Sequence, residues 1–438
     1  MKEKNILFIC TPNLGILDNW LPILWHLKEK RPDNSFVFVV PKSRDIDEID
    51  EANILFILSK GIFDRIVFRS WFGGWLSANS FTEAKQLNRR NFFNNIIYKI
   101  IKTLIGKDFK ATVLSLITKG YFHLNIYKKN YWNLQEEAKK TDCVLYDVFV
   151  HGKPYTYDLM RALTNVKKYS LSHGVELRIK INAESNYKIS NEDIKYITAY
   201  LYSEHEREYY NTTYGLPGSN LRIVGVPRHS LSWINFILKH ETSISEKIGE
   251  GFIFVISRPG TSEYFSRERK RKALADIKRL AWDDLNKKIV VKLHPKEKME
   301  GLYEEVFGKS SYGEKWHYSN AHPFILGQKC TFAISFFSGV PVDLIVLDVP
   351  TIELLDLRGI PEFDNKDALR DQKGNPVFMY RYYGLVLGAN DYEDLKFQAE
   401  RLIKDRPIIQ KELRDKYCEL FTKIQDADIL VADEIANS

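Results

Sequence analysis

Short apolar runs recur along the first half of the chain, separated by longer stretches with helical spacing of apolar and polar residues. The runs are Asn5–Cys10, Phe36–Val40, Ile54–Ile57, Arg65–Phe68, Cys143–Tyr146, Tyr169–Leu171 and Ile197–Tyr202. Most are apolar at every position rather than at every second one. That pattern predicts strands covered on both faces, as in a parallel sheet flanked by helices. A second series comprises Phe252–Ile256, Ile289–Leu293, Thr331–Ile334, Thr351–Leu355 and Gly384–Leu387. Between the two series lies Gly215–Arg228, rich in turn residues, followed by a polar stretch through Gly251. The pattern therefore predicts an α/β chain with two doubly wound domains facing each other across a cleft. The first covers 1–240 and the second 241–390, with closing helices over 391–438.

Length agrees with this division, since 438 residues suit two or three domains of ~100–200 residues each. A composition of 44% hydrophobic and 28% charged residues excludes a mainly disordered or fibrous chain. The four cysteines, Cys10, Cys143, Cys330 and Cys418, form no CxxC pair. This argues against a disulfide scaffold or a zinc site and fits a reducing compartment. Neither a signal-peptide pattern nor an apolar stretch long enough to span a membrane is visible. The expectation is a cytoplasmic protein with no resident metal or cofactor.

The net charge of +7 is unevenly placed. From Lys85 to Lys129 the basic residues include Arg89, Arg90, Lys99, Lys102, Lys107 and Lys110, and only Asp108 opposes them. Apolar residues such as Phe92, Ile96, Ile100 and Leu104 fall between them at helical spacing. Two readings stand side by side. Such helices lie on an anionic membrane surface, or they cover a sheet and solvate their basic side. A nucleic-acid partner is not expected, because no reader fold or aromatic-basic stacking surface is present.

Ligands of open parallel sheets bind outside the carboxyl ends of the strands. Residues just past each apolar run are therefore the candidates for chemistry. In the first domain these are Asp147, then His173 followed by Gly174. Each is a candidate acid-base group, and each has an ordinary structural alternative as a cap or turn residue. In the second domain Lys292 and His294 are two apart, so the pattern places them on one strand face with Pro295 stopping the strand. Ser335, Ser338 and Gly339 fall at a predicted strand-to-helix turn, where hydroxyls and free N–H groups suit a phosphate. Arg228 and Arg258 follow turn and strand segments, and Glu353 lies near the end of another strand. Together these residues suit a nucleotide diphosphate held by cations. No P-loop or GxGxxG pattern is present, which lowers ATP, GTP and NAD readings.

The order of these segments resembles the CDP-glycerol glycerophosphotransferases of teichoic-acid and capsule synthesis, a branch of the GT-B glycosyltransferases. The matching positions are His173-Gly174, Tyr202–Arg207 leading into Arg222–Arg228, and Ser257–Pro259. They continue with Val291–Pro295, Ser335–Gly339, Asp343 and Val349-Pro350. The likeness spans roughly residues 140–360. The His-Pro and serine segments are also similar to bacterial sialyltransferases and Kdo transferases, which use CMP-sugars. Two departures stand out: the family's leading Asp of the serine turn is here Ser335, and the segment after His173 reads Gly-Val-Glu-Leu-Arg178. Both bear on the glycerol-phosphate donor more than on the fold.

The resemblance implies two Rossmann-like domains in the GT-B arrangement, with 1–240 binding an acceptor and 241–390 a nucleotide-activated donor. The implied reaction moves a sugar or polyol-phosphate from a donor, expected to be a cytidine one, to a lipid-linked or polymeric surface glycan. Arg228, Arg258, Lys292, His294, Ser335, Ser338, Gly339 and Glu353 would hold the donor. His173 or Asp147 would take the acceptor proton, with His294 also catalytic. Segment 85–129 would hold the enzyme at the inner face of the plasma membrane. The alternatives are a UDP- or GDP-sugar hexosyltransferase of the same fold and a non-catalytic, membrane-associated scaffold.

Overall fold

The computed structural model describes residues 3–10, 14–51, 53–71, 74–90, 130–175, 177, 189–240, 249–262, 264–295, 297, 301–360 and 369–438. Its first sheet has eight strands: β1 (Asn5–Ile9), β2 (Ser35–Val40), β3 (Arg65–Arg69), β4 (Trp75–Ala78), β5 (Cys143–Tyr146), β6 (Lys167–Leu171), β7 (Ile197–Leu201) and β8 (Leu221–Ile223). They lie in the order β4-β3-β2-β1-β5-β6-β7-β8. All neighbours pair in parallel except β3 and β4.

The central strand shows why the apolar runs are continuous. Ile6 and Phe8 enter one core with Trp20, Leu21 and Leu24 of α1 (Leu14–Lys30). Leu7 and Ile9 enter the opposite core with Val37, Val39, Val144 and Tyr146. Successive side chains of a strand point to opposite faces, so both parities must be apolar when both faces are covered. Each such side chain contributes about 1.5–3 kcal/mol by its burial.

One expected strand is a helix. Ile54–Ile57 lies in α2 (Ile54–Ser59), where the Asn53 side chain accepts from the Leu55 N–H at 3.0 Å. A four-residue apolar run does not distinguish strand from buried helix, and the capping asparagine decides.

The second sheet is built from β9 (Phe252–Ile256), β12 (Ile289–Lys292), β13 (Trp316–Tyr318), β14 (Cys330–Ser335), β15 (Thr351–Leu354) and β18 (Leu387–Ala389). It is wholly parallel, in the order β13-β12-β9-β14-β15-β18. Two small hairpins, β10 (Thr261–Ser262) with β11 (Phe265–Ser266) and β16 (Leu369–Arg370) with β17 (Pro376–Val377), stand apart from it. The last strand begins where the expected Gly384–Leu387 run ends. Gly384 has a φ of 71° and closes a turn in which Leu385 N–H bonds the Tyr380 carbonyl.

The helices that matter for the site are α3 (Arg267–Arg279), α4 (Pro323–Lys329) and α5 (Val340–Ile345). Three more close the chain: α6 (Tyr392–Lys404), α7 (Arg406–Leu420) and α8 (Ala427–Asn437). The last returns to the first sheet, where Asp428 pairs with His26 of α1 at 3.2 Å and Lys4 donates to the carbonyls of Ile435 and Ala436. The return path crosses Gly225. A Cβ there would lie 2.6 Å from the Thr422 carbonyl, so only glycine fits beneath the crossing strand of chain. Among the described residues, no helix is long and apolar enough to cross a membrane.

Charge ties the two sheets together at Arg228, which lies just past β8. Its Nε and Nη2 donate to the two carboxylate oxygens of Asp343 in α5 at 2.9 and 3.0 Å, and Nη1 donates to Asp18 of α1 at 3.3 Å. Asp18 also meets His322 Nε2 at 3.2 Å, and Asp343 meets His229 Nε2 at 2.7 Å. Arg228 and both acids are buried. Burial opposes the charge on Arg228, but the two carboxylates overcome it and raise the guanidinium pKa. Arg228→Ala would strand two buried carboxylates, and we expect urea denaturation to show a loss of about 3–5 kcal/mol. A loss below about 1 kcal/mol would show that the pairs are not a main tie.

Candidate functional site

The carboxyl ends of both sheets carry the predicted residues, though not always in the predicted roles. In the first sheet Asp147 directly follows β5, and His173 lies two residues past β6. The structure joins them: His173 Nδ1 is 2.5 Å from Asp147 Oδ2, which also accepts the His173 backbone N–H at 3.2 Å. The other oxygen, Oδ1, accepts the Phe149 N–H at 2.9 Å. The Asp147 side chain is 5% exposed and that of His173 22%. The carboxylate therefore works from behind the imidazole, fixing its tautomer and orientation.

The His173 loop has its own clamp. Asn19 Nδ2 of α1 donates to the Ser172 carbonyl at 2.7 Å and to Tyr202 Oη at 2.8 Å. Tyr202 Oη donates to the same carbonyl at 2.5 Å. The backbone entering His173 is thus pinned from two elements at once. Beyond it, the Val175 carbonyl accepts from Tyr380 Oη, in the short helix Met379–Tyr382 ahead of β18, at 3.1 Å. Gly339 lies directly below: a Cβ there would be 3.3 Å from Tyr380 Oη and 3.9 Å from the Val175 carbonyl. The structure thereby brings the His173 loop and the serine turn together.

That turn, Ser335–Gly339, does join a strand to a helix, between β14 and α5. Ser335 is fully buried and its Oγ has no hydrogen-bond partner among the described residues. Ser338 Oγ accepts the Val340 N–H at 3.3 Å. Between them Phe337 has a φ of 97°, a strained conformation for a bulky residue. The strain sets its ring against Phe378, with centroids 3.9 Å apart, and aims its carbonyl at Arg258 Nη1, which donates at 3.0 Å. Arg258 stacks 4.8 Å over the Phe337 ring and also bonds Tyr264 Oη.

Lys292 ends β12, and its Nζ donates to the carbonyls of Ala321 at 2.8 Å and Asn320 at 3.2 Å. His294 is not on the strand. The chain turns after Lys292, and the Glu297 N–H bonds the His294 carbonyl at 2.8 Å, so the expected shared strand face is replaced by a loop. Arg228 departs further from expectation. Its guanidinium is engaged by Asp343 and Asp18, and the cation expected at a donor phosphate is occupied by two acids. Glu353 is buried beside Ser335 in the register of β14 and β15, and pairs with Arg381 at 3.1 Å. Burial raises its carboxyl pKa, against the pull of Arg381 and Arg258. Arg89 and Arg90 are exposed at the end of a helical stretch over 81–90. Lys99, Lys102, Lys107 and Lys110 lie outside the described residues.

A buried cluster supports the His294 loop and was missed in the sequence. Glu297 forms an ion pair with Lys270 of α3 and accepts from Ser257 Oγ at 2.5 Å. Lys270 Nζ also bonds Ser257 Oγ at 3.2 Å and sits 4.7 Å over the Tyr303 ring. A signal was available, since Lys270 shares the helical spacing of buried Ala273, Leu274 and Ile277. Among the described residues, no three His, Cys, Asp or Glu side chains gather to hold a metal.

No family model and no curated protein matches the sequence. Solved structures do match. UDP-GlcNAc 2-epimerase from Neisseria meningitidis bound to UDP-GlcNAc superposes with a TM-score of 0.55 at 13% identity, over 99% of this chain and 100% of that one. The fold is GT-B. MnaA of S. aureus in complex with UDP gives 0.54 at 12% identity, over 99% and 95% of the two chains. The wall teichoic acid polymerase TagF soaked with CDPG gives 0.56 at 11% identity, over 100% and 88%. The expected arrangement of two Rossmann-like sheets is therefore the observed one.

Glu297→Ala would leave the Lys270 ammonium buried without its carboxylate. The expected cost is about 3–5 kcal/mol of unfolding free energy. An unchanged urea midpoint would show that the His294 loop does not lean on this pair.

Proposed function

We propose that the protein is a transferase that moves a sugar or polyol-phosphate group from a nucleotide-activated donor, a cytidine one, to a surface-glycan acceptor. The observation that carries this reading is the contact between the two halves of the chemistry. The Asp147-backed His173 loop meets, through Val175, the turn that holds Ser335, Ser338 and Gly339.

In this reading His173 is the base. Both oxygens of Asp147 are engaged by the imidazole and by backbone N–H groups, which leaves Asp147 the role of orienting partner. With Nδ1 held, Nε2 is the nitrogen that takes the proton of the acceptor hydroxyl. Such a base contributes about 10²–10⁴-fold. The donor side belongs to Arg258, Lys292, His294, Ser335 and Ser338, which offset the charge that develops on the departing phosphate. Arg228 is not part of this set. The likeness to structures carrying UDP, UDP-GlcNAc or CDPG supports a nucleotide-activated substrate without choosing its base. Segment 85–129 is proposed to meet anionic lipid at the inner membrane face, where a lipid-linked acceptor would be held.

Two measurements test this. Thermal unfolding with CMP, CDP, UDP, GDP and ADP should show selective stabilisation by CMP or CDP, because a ligand that binds only the folded state raises the midpoint. Stabilisation by UDP or GDP alone would discard the cytidine donor, and no stabilisation by any nucleotide would favour the scaffold. His294→Ala should lower transfer by about 10²-fold or more while changing unfolding free energy by less than about 1 kcal/mol. Retained turnover would remove His294 from the donor site.

A further inference from the structure

The turn that follows Asp147 carries a ring that the mechanism above does not use. Phe149 lies in the 3₁₀ turn Val148–Val150, whose two valines are buried, while Phe149 itself is 43% exposed. Its ring centroid lies 5.9 Å from that of His173, with the planes 52° apart. One carboxylate serves both. Asp147 Oδ1 accepts the Phe149 N–H at 2.9 Å, and Oδ2 meets His173 Nδ1 at 2.5 Å.

Lys153 sits against the same ring, with Nζ 4.0 Å from its centroid. The backbone beneath it is fixed: its N–H donates to the Val150 carbonyl at 3.2 Å, and its carbonyl accepts from Thr156 Oγ1 at 3.0 Å. An aromatic face attracts an ammonium without neutralising it. Among the described residues no carboxylate pairs with Lys153, and the acid of the same turn, Asp147, is buried and engaged. The two ring distances put the ammonium no more than about 10 Å from the imidazole, one Debye length in about 0.1 M salt.

A single exposed phenylalanine needs no explanation. This one neighbours both the base and an uncompensated cation, so a group presented to His173 meets all three. The ring offers a flat apolar surface, which suits the C–H face of a pyranose better than a freely turning polyol chain. The ammonium offers its charge to a carboxylate or a phosphate. We infer that Phe149 and Lys153 select the acceptor, and that the acceptor is a pyranose carrying a negative charge. Its ring packs on Phe149, its charge meets Lys153, and a hydroxyl reaches His173. The role in transfer rests on the transferase reading; the binding site does not.

The test is saturation-transfer NMR of the full chain with four probes, each titrated alone without any nucleotide. Methyl β-glucuronide and glucose 6-phosphate have both ring and charge; methyl β-glucoside lacks the charge, and glycerol 3-phosphate lacks the ring. At least one charged sugar should bind about fivefold or more tightly than both controls, as expected for a hydrogen bond to a charged group. It should also shift the His173 imidazole resonances, and which of the two binds separates a carboxylate from a phosphate. Lys153→Met should reduce that sugar to the level of methyl β-glucoside and leave methyl β-glucoside itself unchanged. Phe149→Ala should weaken both sugars. Neither side chain is buried, so both variants should keep the wild-type thermal midpoint. Phe149→Leu, which keeps apolar volume without the flat face, serves if the alanine variant does not fold. Equal binding of glycerol 3-phosphate, unchanged binding in Lys153→Met, or no binding of any probe to the folded wild type would overturn the acceptor site. Charged-sugar binding together with a flat nucleotide panel would keep the site and overturn the transferase reading.

Discussion

The guanidinium of Arg228 is the point on which the arrangement of the two sheets depends. It lies just past the last strand of the first sheet, is buried, and divides its donors between Asp18 of α1 and Asp343 of α5. Removing three charges from water is expensive, and their mutual attraction offsets that cost only while the geometry holds. His229 and His322 complete the set by meeting carboxylate oxygens of the same two acids. The carboxyl end of one sheet is thereby set opposite that of the other. The contact between Val175 and Tyr380 becomes possible once that spacing is fixed.

Around this tie, both candidate halves of the site are held by groups that take no part in the chemistry proposed. Asn19 and Tyr202 pin the backbone ahead of His173, and Asp147 fixes its ring. On the other side, Lys270 and Glu297 brace the His294 loop, while Phe337 accepts a strained backbone and supports Arg258. Strain of about 1–3 kcal/mol persists only where the surroundings over-determine it, and here Phe378 and Arg258 do so from either side. Ser335 and Glu353 keep open hydrogen-bonding capacity at the carboxyl end of the second sheet, where ligands of such sheets bind.

Residue patterns alone gave the inner strands of both sheets, because continuous apolar runs and two-sided burial are the same fact seen from two ends, but not the short edge strands β4, β8 and β13, which carry no such run. Ile54–Ile57 shows the limit: the run is equally apolar in a helix, and Asn53 rather than hydrophobicity decided it. Candidate site positions were legible to the same degree. Asp147, His173, Arg258, Lys292 and the serine turn all stand at or just past the end of an apolar run, where a polar residue is conspicuous.

What the chain determined by itself was the alternation of strands and helices and the polar residues placed where strands stop. Burial of apolar surface is non-directional and depends on local periodicity, so it can be read from one segment at a time. The tertiary structure alone decided which charges find partners. Arg228 reads as a free cation until Asp343 is brought to it, and His173 and Asp147 read as rivals until they prove to be one unit. An ion pair or a hydrogen bond is set by distances of about 3 Å between groups far apart in the chain. Only the packed fold fixes those distances.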